Sequence, residues 1–90
     1  MVTLQEVKQY LRIDFEEEDP LLLSLLATAK QQVMSVGRMD EAQLSEHEDT
    51  ARTAIRYAVS YLYENRNTAD FSKLKLSLRS LLFAQREGVV

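Results

Sequence analysis

Hydrophobic residues recur along the chain at three- and four-residue intervals, and the strict alternation that a half-buried strand needs is nearly absent. Four stretches carry the helical period. The first, TLQEVKQYL, opens with Thr3 and Glu6 at capping-box spacing; Leu4, Val7 and Leu11 then share a face, and Ile13 is placed to pin the following connection to the core. The second, FEEEDPLLLSLLATAKQQVMSVG, is the clearest. Asp19 suits an N-cap, Pro20 the first helical position and Gly37 the position just past the end. Between them Leu22, Leu25, Leu26, Ala29, Val33 and Val36 form a core stripe, while Leu23, Ala27 and Met34 form a second apolar set beyond Lys30. A helix apolar on two sides has two neighbours, so this second set is a candidate contact with another subunit or partner.

The stretch RMDEAQLSEHEDT is polar and acidic and reads as a linker with one helical turn near Leu44. Ser45 and Glu48, again at capping-box spacing, are expected to start the third helix. On it Ala51, Ile55, Ala58, Val59 and Leu62 form one stripe, Ala54, Tyr57 and Tyr61 widen it, and Arg52, Thr53, Arg56 and Ser60 gather on a polar side. Continuing the same wheel, Asn65 falls between Ala54 and Ala58, and Arg66 between Ile55 and Val59. Polar groups thus point along an apolar arc. A desolvated guanidinium or amide without partners is costly, so these groups should bond to carbonyls or carboxylates or emerge at the rim of the bundle. Glu64, Asn65 and Arg66 are therefore expected to form a structural corner that locks the next turn, with Arg66 also complementing the negative helix end. Asp70 then caps a fourth helix with Phe71, Leu74, Leu78, Leu81 and Leu82 on one side, and residues 83–90, FAQREGVV, read as a C-terminal arm. The expected fold is all-α, a small bundle of about four helices in one domain over residues 1–90.

Length sharpens this picture, since a chain of 90 residues buries only roughly 60 to 65% of the surface its unfolded form exposes. Support from neighbouring subunits fits so small a core. A hydrophobic fraction of 46% with 28% charged residues is that of a globular protein, not of a disordered chain. Net charge is −3, but the halves differ. Residues 1–50 hold four Lys/Arg against eleven Asp/Glu, giving −7, and residues 51–90 hold seven against three, giving +4. That polarity favours head-to-tail contact between copies; charged runs that merely solvate helix faces are the simpler account. No stretch pairs a basic region with an apolar signal-like region, and no apolar run approaches the ~20 residues of a membrane-spanning helix. A cytoplasm-like compartment without membrane partners is expected.

Little in the chain carries chemistry. There is no cysteine, and the single histidine, His47, lies among Glu46, Glu48 and Asp49 as a solvated side chain. No nucleophile motif, phosphate-binding glycine loop or zinc-binding HExxH is present, so no catalytic, cofactor-binding or metal-binding residue is assigned and no cofactor is expected. Glu16, Glu17, Glu18 and Asp19 lack the spacing and turn glycine of a calcium loop, and acidic residues ahead of a helix are accounted for by the helix dipole. Tyr57, Tyr61 and Tyr63 would stack nucleobases only beside a basic groove, and Tyr57 and Tyr61, at helical spacing, read as core or interface. Lys73, Lys75, Arg79 and Arg86 make a weak basic stripe suited to non-specific contact with a nucleic-acid backbone, in a chain whose pI of 5.1 is wrong for a dedicated DNA binder.

Taken in order, TLQEVKQYLRID, the acidic stretch into DPLLLSLLATAK, AIRYAVSYLYENR and LRSLLFAQR resemble the small head-tail connector proteins of long-tailed bacteriophages and prophages. The resemblance spans nearly the whole chain and rests most on the opening LxxVKxYLRID and on YENR. It departs at Lys75-Leu76-Ser77, where family members often carry a proline, and in the acidic linker after the second helix. The resemblance implies a structural, non-enzymatic subunit that assembles with copies of itself into a ring beneath the portal protein and extends the DNA channel. It also implies a platform for a tail-side connector or head-closure protein, location in the neck of the virion, and assembly in the host bacterial cytoplasm. DNA would pass without sequence-specific binding. In that light Glu64, Asn65 and Arg66 match the family's corner, and Leu81, Leu82 and Arg86 its closing segment. Leu23, Ala27, Met34, Tyr61, Tyr63, Leu81, Leu82 and Arg86 are the candidate subunit or partner interface. The alternative is a monomeric or dimeric helical adaptor that binds a regulatory protein through its apolar grooves. A small DNA-binding regulator would need a recognition helix that the dispersed basic residues do not supply.

Overall fold

Thr3, in an extended conformation, accepts a hydrogen bond at its hydroxyl from the Glu6 backbone N–H (3.2 Å) and so starts α1, Leu4–Leu11. Only half of the expected capping box forms, because the Glu6 carboxylate is drawn away to Arg52. Four further helices follow: α2, Asp19–Gly37; α3, Glu41–Glu46; α4, Glu48–Glu64; and α5, Phe71–Glu87. The protein is seen in a computed structural model that describes the backbone of residues 2–68 and 70–87, and side chains as far as Leu82. There is no strand among the described residues.

Two helix ends are closed by residues in the left-handed conformation, Arg12 (φ 59°) and Arg38 (φ 53°). In each, the residue beyond turns its N–H back five positions, Ile13 to Lys8 (2.8 Å) and Met39 to Met34 (3.0 Å). Gly37, expected just past the end of α2, is instead its last helical residue. A Cβ there would lie 2.7 Å from Met39 Cε and 3.3 Å from Leu82 Cδ1, so a close approach of α5 accounts for the glycine. At the other end α2 starts one residue earlier than expected. Asp19 is its first residue and Pro20 its second, with Glu18 as N-cap making no side-chain cap bond. The Asp19 carboxylate is taken by Lys8 (2.8 Å).

The helical turn expected near Leu44 is α3, started by a capping box at Asp40 and Gln43, and the expected Ser45–Glu48 box does not form, since α4 begins at Glu48 with His47 as its N-cap. Asp40 Oδ1 accepts from the Gln43 N–H (2.8 Å), and Gln43 Oε1 accepts from the Asp40 N–H (3.0 Å). This starts α3, which leaves Ser45 inside a helix, where it cannot cap. Leu44 explains this short helix, since a helical turn is what carries the leucine from the acidic linker into the core. His47 joins α3 to α4, and α4 begins without a side-chain cap.

Val7, Ile13, Leu22, Ala29, Val33, Leu44, Ala51, Ala54, Ile55, Ala58, Val59, Leu62, Leu74, Leu78 and Leu82 form one buried cluster. Leu4, Leu11, Leu25, Leu26 and Val36 pack against it, so the stripes read from the period are core-facing. Two aromatic residues are exceptions. Tyr57 is exposed because it lies more than a quarter-turn from the centre of the α4 stripe, and Phe71 because it precedes the first core-facing turn of α5, which begins at Leu74. The helix directions follow from contacts. The start of α2 meets the end of α4 through Glu18, Tyr63 and Arg66, so α2 and α4 run in opposite directions. The start of α5 meets Tyr61 and its Leu82 reaches Gly37, so α5 runs alongside α2. Glu6 with Arg52 and Tyr10 with Arg56 place α1 along the first half of α4. The result is elongated, 43 × 25 × 20 Å. Residues 83–87 extend α5, because no helix breaker precedes Gly88; residues 88–90, the rest of the expected arm, lie outside the described residues.

Candidate interface surfaces and the corner between helices

The α4 wheel stops at Glu64, and residues 65–68 form a turn, so Arg66 does not continue along the apolar arc. It emerges at the rim, with its side chain 44% exposed. Its guanidinium lies over the Tyr63 ring, 4.6 Å from the centroid, and faces the Glu18 carboxylate at 3.5 Å. Tyr63 donates its hydroxyl proton to the same carboxylate. This bond to Glu18, reinforced by partial burial and opposed by nearby Arg66, holds the Tyr63 pKa above 10.0.

Asn65 secures the turn itself. Its side-chain amide donates to the Tyr61 carbonyl (2.8 Å), as does its backbone N–H (3.0 Å), and its own carbonyl accepts from the Thr68 N–H (3.0 Å). Tyr61 carries the chain into α5, because its hydroxyl accepts from the Asp70 N–H (3.2 Å) and donates to the Asp70 carbonyl (3.3 Å). Asp70 in turn caps α5 by accepting from the N–H groups of Ser72 (3.0 Å) and Lys73 (3.2 Å). Glu64 stands apart from this network, accepting from Ser60 one turn back on α4 (2.9 Å). Asn65, Arg66, Tyr61 and Tyr63 are thus brought together, and Glu18 and Asp70 are the partners that the helical period could not name.

The proposed interface residues divide. Leu23, 51% exposed, and Ala27 face solvent from adjacent turns of α2. Met34, on the same side of α2, is partly buried against the core. Leu82 is buried and Leu81 partly so, both inside the same subunit; Arg86 lies on the stretch whose side chains are outside the described set. Exposed apolar residues that the stripes did not single out as surface are Tyr10, Phe15 and Leu76. Among the described residues no group of acidic or histidine side chains could hold a metal ion, and no helix is long and apolar enough to cross a membrane.

An elongated helical subunit with an ordered corner and a solvent-facing apolar pair suits an assembly component, and the decisive finding is a family match. The model of the phage gp6-like head-tail connector proteins matches residues 1–85. The chain belongs to this connector family. No curated protein and no solved structure matches it. Membership makes the chain a structural phage connector, associated with other head or tail proteins and located in the virion. The quoted segments TLQEVKQYLRID and AIRYAVSYLYENR both lie inside the matched range, as does the whole corner from Glu18 to Asp70.

Proposed function

We propose that this connector assembles with copies of itself into a closed ring under the portal, acting as one domain through its whole length. One rim docks to the portal protein and the other receives a tail-side connector or head-closure protein, while DNA passes through the channel without sequence-specific binding. Assembly takes place in the host cytoplasm. The observation that carries this reading is the family match over residues 1–85. Physical features favour it further. The core is small, Leu23 and Ala27 are exposed on α2, and the two halves carry opposite charge. A ring requires a heterologous contact that closes, and a chain with unlike ends is suited to one.

The mechanism is mechanical and electrostatic. A corner held by Asn65, Arg66 and their tyrosines fixes the angle between α4 and α5, and with it the two surfaces each subunit offers its neighbours. Acidic side chains facing the channel repel the phosphate backbone and let DNA slide. The segment from residue 83, which begins as the last residues of α5, is assigned a contact with a neighbour or with the portal. The test is native mass by light scattering after size exclusion, over a wide concentration range and at low and high salt. A closed high-order oligomer is expected. A persistent monomer or dimer at every concentration overturns self-assembly and favours the helical adaptor.

A further inference from the structure

Among the described residues Leu76 is the most exposed large hydrophobic side chain, at 63%, although it sits on a helix that packs against the core. It is two residues from the fully buried Leu78 and therefore about 200° around α5 from it, on the outward side. Around it stand Lys73, Lys75 and Arg79, all exposed. None of the three has an ion-pair partner among the described residues. This face is apolar at its centre and cationic at its edge, the build of a docking surface whose partner is acidic.

The same molecule carries such a partner on another surface. Glu46, Glu48 and Asp49, at the junction of α3 and α4, are exposed and likewise unpaired among the described residues, with the exposed Ala42 one turn back from Glu46. Among the described residues the two surfaces are not paired with each other within one chain. Lys73, Lys75 and Leu76 lie in the first two turns of α5, beside the C-terminal end of α4, whereas the acids lie at its N-terminal end. Because α5 runs back along α4, at ~1.5 Å per residue Lys73 and Lys75 stand roughly 12–15 Å along the axis from the acids, beyond the screening length of about 8 Å at physiological ionic strength, while Arg79 lies nearer to them without pairing to any of them among the described residues. Two complementary patches that are not paired within one chain can be satisfied together between copies, and such a contact is heterologous.

We infer that the outward face of α5, centred on Leu76 with Lys73, Lys75 and Arg79, docks on the Glu46, Glu48 and Asp49 end of the next copy of this chain. The inference rests on the reading of the protein as a self-assembling connector and names the contact through which it assembles. The basic surface then serves a protein partner and not nucleic acid.

A charge-swap experiment on the full chain tests it. One variant carries Lys73→Glu, Lys75→Glu and Arg79→Glu; the other carries Glu46→Lys, Glu48→Lys and Asp49→Lys. Circular dichroism first confirms that both are helical. Each alone should self-associate at least about tenfold more weakly than the wild type, since like charges now face each other across the contact. Mixed in equal amounts, they should recover assembly, because each variant's altered patch complements the other's. If the wild type assembles and both variants do so equally well, the α5 contact is wrong while the ring reading stands. If the wild type never assembles, the ring reading fails and the inference with it. Binding of a short DNA duplex, followed by fluorescence anisotropy, adds a third readout. Loss of DNA binding in the Lys/Arg variant with assembly intact overturns the inference in favour of a phosphate-binding face.

Discussion

Two cations of this protein make ion pairs of different worth, and burial decides which. Lys8 is nearly enclosed, its side chain 11% exposed, and its ammonium lies 2.8 Å from Asp19. Replacing Lys8 with Ala removes the partner of a part-buried carboxylate at the start of α2 and should cost about 1–3 kcal/mol, read as a lower urea midpoint with unchanged slope. Arg66 is the bulkier cation at the more suggestive position, yet it is half-exposed. Arg66→Ala loses a stacking contact and a solvated ion pair, so about 0.5–1 kcal/mol is expected in the same measurement. A loss above that range would mean Arg66 locks the corner more firmly than its exposure allows. Tyr63 adds a pH dependence. Its pKa is raised above 10.0 in the folded protein by Glu18, so the folded state holds the phenolic proton longer than the unfolded chain does. The contribution is complete below pH 10.0 and is lost as pH rises through the folded value. The stability advantage of wild type over Tyr63→Phe should therefore be flat up to that pH and shrink above it, in denaturant titrations across the alkaline range.

At the scale of helices, capping and burial compete, and α3 shows burial choosing among caps. Asp40–Gln43 and Ser45–Glu48 both have the spacing of a capping box, and only the first places Leu44 in a helical turn that reaches the core. Asp40→Ala should cost about 0.5–2 kcal/mol, whereas Ser45→Ala, inside the helix and exposed, should change stability by less than about 0.5 kcal/mol. If the two costs are reversed, the helix starts at Ser45. The two faces of α5 separate as sharply. Leu78→Ala opens a cavity in the core and should cost about 2–5 kcal/mol, while Leu76→Ser should leave the monomer's stability nearly unchanged. The core stripes of α1, α2, α4 and α5 were legible because a period of 3.6 and a handful of leucines, valines and alanines determine a face without knowledge of what lies opposite. What depends on a distant neighbour was not legible. Gly37 answers to Leu82, Glu18 to Tyr63 and Glu6 to Arg52, and in each the partner is more than forty residues away. The left-handed Arg12 and Arg38 left no glycine as a signal, and the expected glycine was one residue away for a packing reason.

For the whole molecule, the family was legible in segment order, but the exposed apolar surface only in part. Met34 has the spacing of Leu23 and Ala27, yet its length and flexibility let it curl onto the core, as methionine does, leaving an exposed pair of two residues where the period marked three. Leu76 fell outside every stripe and for that reason is the better marker of an outward contact. These surfaces lie on different helices, α2 and α5, and a subunit in a closed ring needs two unlike faces, one given and one received. If Leu23 belongs to such a face, Leu23→Glu puts a carboxylate into an apolar contact and should weaken self-association at least tenfold, equivalent to about 1.4 kcal/mol or more. Because Leu23 is half-exposed in the monomer, the urea midpoint of the dissociated subunit should hardly move. Sedimentation equilibrium of the variant beside denaturant unfolding at low concentration separates the two effects. Unchanged association would leave α2's outer face free for the portal or the tail-side protein, so that the subunits of the ring would meet through α5 and the acidic end alone.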